Sequence, residues 1–590
     1  MTTLLERLLR APQTRAYDID STGRILLGDD STGAVELVEL EPGGAPRRLT
    51  DLGESCRGRY LPGERTVVVE HDDGGSERTQ LSLLQPDGPG ELEPLVRDPD
   101  HVHVLLDVLP GRVVYATNRR NGVDFDLVAH DLRDGSERVL YDRGGWVDEA
   151  AVSSDEQYVL LGRPGAPARS QQLLLVEVST GRVSELSSLD EPAAYTRFRW
   201  LPDSSGFVAT SDAGREFAGV ARYDLSAASW RWLATDDDHD LVGVLDPGGA
   251  RLLVVTRDDG ADRAAVHDPS TGAVLSRLEL AADGVICGRL GEPVWSLAGG
   301  MLAATRVSPA EPGGVYSWDG DGVVRRTEPS LDPSTLVAPT SHRVPAYDGE
   351  EIPCFVYRDD RCDGSAVLLI HGGPASASAR TWDPLTQALV SAGHAVVVPN
   401  VRGSTTYGKR WAALDDVTLR LDSVADLASL HRWLPDVGLD PRRAALLGQS
   451  YGGYMVLAGL TMQPELWAAG VDIVGISSFV TFLENTAPYR RAHREREYGS
   501  LAHDRDFLEQ ASPLTHIDAV RAPLLVVHGA NDPRVPLSET EQLVAAVRER
   551  GVECELLVYA DEGHGLKKLH NRLDAYPKMF DFLDRHLGVA

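Results

Sequence analysis

The stretch Ala444-Ala445-Leu446-Leu447-Gly448-Gln449-Ser450-Tyr451-Gly452-Gly453-Tyr454-Met455 decides how the second half of this 590-residue chain folds. Four apolar residues run into a G-x-S-x-G motif, and a helical apolar pattern follows over 455–463. Strand, sharp turn and helix in that order make a nucleophile elbow. The turn is tight, so small residues must flank Ser450. Its hydroxyl is held clear of the sheet at the amino end of a helix, where negative charge is favoured. A glycine-rich turn that merely packs closely would read the same in isolation, so the neighbouring segments decide.

A serine hydroxyl is a poor nucleophile near neutral pH; it needs a base, and the base needs an orienting carboxylate. With this elbow the order along the chain is serine, acid, histidine. The apolar run 524–527 leads into His528-Gly529-Ala530-Asn531-Asp532, which sets Asp532 just past a strand end. The run 556–559 leads into Asp561-Glu562-Gly563-His564-Gly565, and His564 lies in a glycine-flanked loop, free to reach Ser450. Ser450, Asp532 and His564 are therefore the expected catalytic residues. His528 and His371 also follow strands and read as loop histidines. Asp561 and Glu562 are alternative acids, but they are too close in sequence to His564 to brace it from behind. Acyl transfer also needs donors for the oxyanion. The N–H of Tyr451 is one; the other is expected from Gly373, in His371-Gly372-Gly373-Pro374 after the strand 367–370.

Around these motifs strands and helices alternate. Strands are expected at 366–370, 395–399, 444–447, 470–474, 524–527 and 555–559, with amphipathic helices over 423–434 and 539–550. Asp422 or Ser423 is the expected N-cap of the first. Two segments, 344–346 and 352–356, flank the hairpin signal Asp348-Gly349. This alternation predicts an α/β-hydrolase domain over 331–590 with a mostly parallel sheet.

Residues 15–330 read differently. Short apolar β-rich runs recur at 25–27, 67–69, 113–115, 159–161, 207–209, 252–255 and 301–304, separated by Pro/Asp/Gly/Ser turns. A period of about 40 to 50 residues predicts an all-β propeller of about seven blades, in preference to two sandwiches end to end. The lone Trp318-Asp319 reads as a strand end. Residues 1–14 carry Leu4, Leu5, Leu8 and Leu9 at helical spacing before Pro12, a short helix expected to pack on the hydrolase domain.

Composition narrows the class. The net charge of −31 argues against nucleic acid and anionic membranes as partners. Five scattered cysteines without C-x-x-C spacing give neither a disulfide framework nor a zinc site. No cofactor or metal cluster is expected. No signal peptide or bilayer-length apolar run is legible, and the reading is a cytoplasmic protein. Pairing of sheet edges leaves a homo-oligomer open.

Taken together, these motifs, with Asn400-Val401-Arg402-Gly403-Ser404 and His528-Gly529-Ala530-Asn531-Asp532-Pro533-Arg534-Val535-Pro536, resemble the prolyl oligopeptidase family of serine peptidases over nearly the whole chain. The resemblance implies hydrolysis of short peptides through an acyl-enzyme, with substrate entering between propeller and hydrolase domain. His371 stands where proline-cleaving members carry a tyrosine. The chain therefore looks more like the acylaminoacyl-peptidase and dipeptidyl aminopeptidase-like branch. In that branch Arg534, two residues after the aspartate, would bind a substrate carbonyl. Phe479 and Phe482 would line a P1 pocket or belong to the core. The arginines at 490, 491, 494 and 496 read as a solvated helix face or a lure for a substrate carboxylate. Two rivals stand beside this reading: an esterase or metabolite-specific hydrolase with the same triad, and a propeller binding module on an inactive hydrolase domain.

Overall fold

Strands buried on both faces must be apolar along their length, and parallel neighbours need helical crossovers. Both conditions hold in the C-terminal part of the chain. In the computed structural model, which describes residues 2–280, 283–287, 293–295 and 300–588, the chain divides into two compact units. One comprises Met1–Ala11, Gly74–Ser76 and Leu331–Ala590; the other comprises Pro12–Asp73 and Glu77–Ser330.

The first unit begins with helix α1 (Thr2–Leu9). Its sheet has eight strands: β1 (Thr340–Pro345), β2 (Glu351–Tyr357), β3 (Ala366–Ile370), β4 (Ala395–Pro399), β5 (Ala444–Gln449), β6 (Ala469–Ile473), β7 (Leu524–Gly529) and β8 (Cys554–Tyr559). Their order is β1-β2-β4-β3-β5-β6-β7-β8. The hairpin β1–β2 turns at Asp348-Gly349 and joins β4 antiparallel; every pairing from β4 through β3 to β8 is parallel. The crossovers used below are α2 (Pro384–Ala392), α3 (Arg420–Trp433), α4 (Tyr451–Met462), α5 (Phe479–Asn485), α6 (Pro488–Tyr498), α7 (Leu537–Glu549) and α8 (Leu569–Leu587). Leu5, Leu8 and Leu9 of α1 are buried, and α1 packs on α2 and α8.

Helix α3 departs from the expected start. It begins at Arg420, directly after a 3-10 turn at Val417–Leu419, and has no side-chain N-cap. Ser423 is already inside the helix, where its hydroxyl donates to Arg420 O at 2.7 Å. Sequence alone favoured a cap because Asp and Ser are the usual capping types; here the preceding 3-10 turn leads the chain into the helix.

The second unit is a seven-bladed β-propeller. Seven antiparallel sheets lie within 14–48, 56–96, 103–141, 149–185, 195–234, 241–278 and 285–325, and the strands of each sheet follow one another in sequence. Six are four-stranded; the seventh carries the extra pair Val294–Trp295. The first sheet meets the last where Ala16 N donates to Thr305 Oγ1 at 2.7 Å and Thr14 Oγ1 donates to Gly313 O at 2.9 Å. Trp318 ends the strand Glu311–Trp318.

Candidate functional site

The site grows from the end of β5. Ser450 stands between β5 and α4 with φ 60° and ψ −117°, a conformation costly for a residue with a side chain. Two backbone bonds hold it: Ser450 N donates to Ile473 O at 2.8 Å, and Ser450 O accepts from Tyr454 N at 2.9 Å. The glycines around it are a packing necessity. A Cβ on Gly448 would lie 2.3 Å from Gly452 O, and one on Gly452 would lie 2.2 Å from Ile370 O. No side chain fits at either place.

The loops after β7 and β8 bring the other two residues to the serine. Asp532 is buried, and its Oδ1 accepts the N–H groups of Arg534 (2.8 Å) and Val535 (3.1 Å). That leaves Oδ2 facing His564 Nδ1 at 2.7 Å, while His564 Nε2 lies 2.9 Å from Ser450 Oγ. The competing groups are engaged elsewhere. His528 is buried between Val535 O (3.1 Å) and Thr540 Oγ1 (2.8 Å), and burial holds its pKa below the ordinary histidine value. Glu562 accepts from the N–H groups of Lys567 and Lys568, and Asp561 pairs with Lys568, His570 and Asn571. Asn531, next to the acid, donates to Ala560 O at 3.0 Å and to Gly74 O at 2.9 Å. A Cβ on Gly563 would stand 1.9 Å from Gly75 O, so the residue before His564 must be glycine.

The turn after β3 lies against the elbow. A Cβ on Gly372 would meet Ser450 Cβ at 3.5 Å. Gly373 has φ +141°, and its N–H has no hydrogen-bond partner among the described residues. The sequence motifs around it brace this turn. His371 sits between Gly372 O and Ser404 Oγ, 2.8 Å from each. Asn400 Oδ1 accepts from Ser378 N, and its Nδ2 donates to Ser378 O. Arg402 bonds Asp426 and Asp348 through its guanidinium. Burial raises the Asp426 carboxyl to about 6 even with Arg402 beside it.

Arg420 and Tyr498 were missed by the sequence reading. The buried Arg420 guanidinium is bonded to Asp415 and Glu497 and lies over the rings of Tyr451 (5.0 Å) and Tyr498 (5.1 Å). Ser423 Oγ and Tyr451 OH are 2.8 Å apart. Tyr498 OH in turn donates to Gly373 O at 3.4 Å. Nothing in the local sequence marks these two residues, because the partners come from four separate segments. Asp415, Asp416 and Glu497 form the one group of carboxylates, among the described residues, close enough together to hold an ion. Arg420 already supplies the counter-charge there.

Phe479 and Phe482 are 1% and 2% exposed. Phe479 packs on Tyr454 and Tyr498 at 4.6 and 4.8 Å between ring centres. The α6 arginines do not form a solvated face: Arg490, Arg491, Arg494 and Arg496 are all half-buried. Arg534 is half-buried, and its carbonyl accepts from Thr486 Oγ1 at 2.9 Å.

An α/β-hydrolase sheet with serine, histidine and aspartate bonded in series, in a chain that also carries a propeller, defines a propeller-bearing serine hydrolase. Residues 381–590 match the model of the prolyl oligopeptidase family. The part of the chain that carries Ser450, Asp532 and His564 thus matches that family of serine peptidases, whose members act on peptide substrates. It is 27% identical over 620 residues to dipeptidyl aminopeptidase BIII of Pseudoxanthomonas mexicana, covering 99% of this chain and 88% of that one. It is 27% identical over 258 residues to acylamino-acid-releasing enzyme 2 of Oryza sativa subsp. japonica, covering 41% of this chain and 33% of that one. Its fold is similar to a puromycin-hydrolyzing peptidase of Mycobacterium tuberculosis, with TM-score 0.85, 19% identity, and coverage of 99% and 96% of the two chains. No described helix is long and apolar enough to cross a membrane.

Proposed function

We propose that Ser450 is the nucleophile, His564 the general base and Asp532 the orienting acid in the hydrolysis of short peptides through an acyl-enzyme. The observation that carries this reading is the relay of 2.7 and 2.9 Å from Asp532 through His564 to Ser450. His564 Nε2 takes the Ser450 proton as Oγ attacks the scissile carbonyl. The same nitrogen then returns the proton to the leaving amine. Asp532 keeps Nδ1 protonated and stabilises the imidazolium. The N–H groups of Tyr451 and Gly373 receive the oxyanion. Tyr451 opens α4, so its N–H lacks an intrahelical acceptor, and the helix dipole adds to its pull. Water then repeats the cycle on the acyl-enzyme.

Arg534 binds a substrate carbonyl beside the scissile bond. Phe479 and Phe482 act one layer back, holding the Tyr498 ring. The enzyme works in the cytoplasm. The names of its relatives favour release of an N-terminal unit, either a dipeptide with a free amine or a blocked residue.

The test is mass spectrometry of the products from peptides with free and acylated amino ends, cut by wild type and by Ser450→Ala. Cleavage lost in the variant supports the reading, and the products show which amino end is required. Cleavage retained by Ser450→Ala sinks it.

A further inference from the structure

Helix α6 is tied at both ends to the proposed catalytic machinery. At its start, Ala487 N donates to Pro533 O at 3.4 Å and Thr486 Oγ1 donates to Arg534 O at 2.9 Å, both on the loop of Asp532. At its last residue, Tyr498 OH donates to Gly373 O, on the turn beside Ser450. Residues 487, 490, 494 and 498 follow helical spacing and share one face. Over the roughly 16 Å of helix between the two anchors, that face carries Arg490 and Arg494.

Arg494 is half-buried and makes no hydrogen bond or ion pair with any described residue. Of the acids on the same two helices, Glu484 pairs with Arg505, Glu495 accepts from Leu501 N, and Glu497 pairs with Arg420 while still acting on Arg494 through its charge. Arg491 turns back to Glu484 O. The charges felt by Arg494 include two of its own sign, Arg490 and Arg534. Burial foremost, opposed by Tyr498 and Glu497 and aided by these like charges, holds its pKa below the ordinary arginine value. Arg490 and Arg494 lie one turn apart on this face, and Arg534 is on the loop bonded to the helix start, which gathers three arginines beside the proposed reaction centre. A guanidinium fork matches a carboxylate in both charge and shape, and the Arg494 fork has no hydrogen-bond or ion-pair partner of its own among the described residues.

We infer that Arg494, flanked by Arg490 and Arg534, is a subsite for a carboxylate carried by the substrate near the scissile bond. The inference rests on Ser450 marking that bond. The carboxylate has two chemical sources: an Asp or Glu side chain, or the free C-terminus of a short peptide. In either case the subsite makes this a peptidase selective for acidic or short free-acid substrates.

The experiment is isothermal titration of peptide pairs into Ser450→Ala protein. One pair differs as Glu against Gln beside the bond, the other as C-terminal acid against amide. The acid member of one pair is expected to bind about 30-fold more tightly. Arg494→Gln on the same background should bring that ratio close to one, while Arg494→Lys keeps part of it. If Arg494→Gln does not fold, Arg490→Gln is read in the same way. The pair that responds names the source of the carboxylate. Equal affinity within both pairs, or a preference that survives Arg494→Gln, overturns the subsite. Hydrolysis by Ser450→Ala during the titration would instead overturn the role of Ser450, and the affinity ratios would still decide the subsite.

Discussion

Gly372 lies directly against Ser450: a Cβ on it would stand 3.5 Å from Ser450 Cβ and 3.1 Å from Gln449 O. The second contact is to backbone, which yields poorly. Gly372→Ala should therefore push the turn away by a few tenths of an ångström and carry the Gly373 N–H with it. We expect kcat to fall about 10- to 100-fold with a smaller change in KM, since the donor matters most when charge develops. Steady-state kinetics with a thermal melt check this; full kcat in a folded variant would remove Gly373 from the oxyanion site.

Asp532→Asn should fold and yet be nearly inactive. The asparagine oxygen would keep the N–H bonds of Arg534 and Val535, turning its NH2 toward His564 Nδ1. The imidazole then takes the tautomer with Nε2 protonated and cannot accept the Ser450 proton. A loss of about 10^4 in kcat follows. Activity within tenfold of wild type would show that the acid is supplied by another residue.

Arg420→Met should destabilise the first unit by about 3 to 5 kcal/mol, because it leaves Asp415 and Glu497 as buried carboxylates without their shared cation. The loss is read as a lower urea midpoint for the transition of that unit. A midpoint unchanged from wild type would mean that the clamp contributes nothing net.

Asp472 lies on β6, between Gly448 and Val526 in the sheet register and against Gly453 and Gly475. Burial raises its carboxyl from 3.8 to about 7. Between about pH 4 and pH 7 the folded protein keeps a proton that the unfolded chain has released, so stability falls as pH rises through that window. Asp472→Asn removes this loss and should gain on wild type as pH climbs from 5 to 8, by about 1 to 4 kcal/mol. Urea midpoints at the two pH values decide; a pH-independent gap would show that the carboxyl ionises normally.

The sequence was most legible where burial is deepest. Each of the seven apolar runs read in the first half falls in a largely buried strand of its blade, such as Ile25–Asp29 or Val67–His71. Outer strands such as Pro46–Arg48 and Arg182–Glu185 are more exposed and carry no comparable apolar run. The relay residues were legible for a related reason: Ser450 and Asp532 follow buried strands, His564 follows the edge strand β8, and chain order fixes the partners. Arg420, Tyr498 and the α6 stripe were not, because their meaning lies in contacts among segments distant in sequence. The start of α3 was misplaced because a 3-10 turn, which has no side-chain signature, did the work of a cap.

Helix α1 belongs to the same compact unit as residues 331–590, and one of the surfaces it covers is α8, close to the end of the chain. A ribosome therefore releases α1 before its docking site, with every blade of the propeller synthesised in between. Throughout that interval the leucines at 5, 8 and 9 have no native partner and are open to chaperones. The propeller can close while the chain is still growing, but the peptidase unit cannot finish until α8 has been made. Joining ends so far apart costs little extra loop entropy, because that cost grows only with the logarithm of length. It does make docking of α1 a late and slow event in maturation.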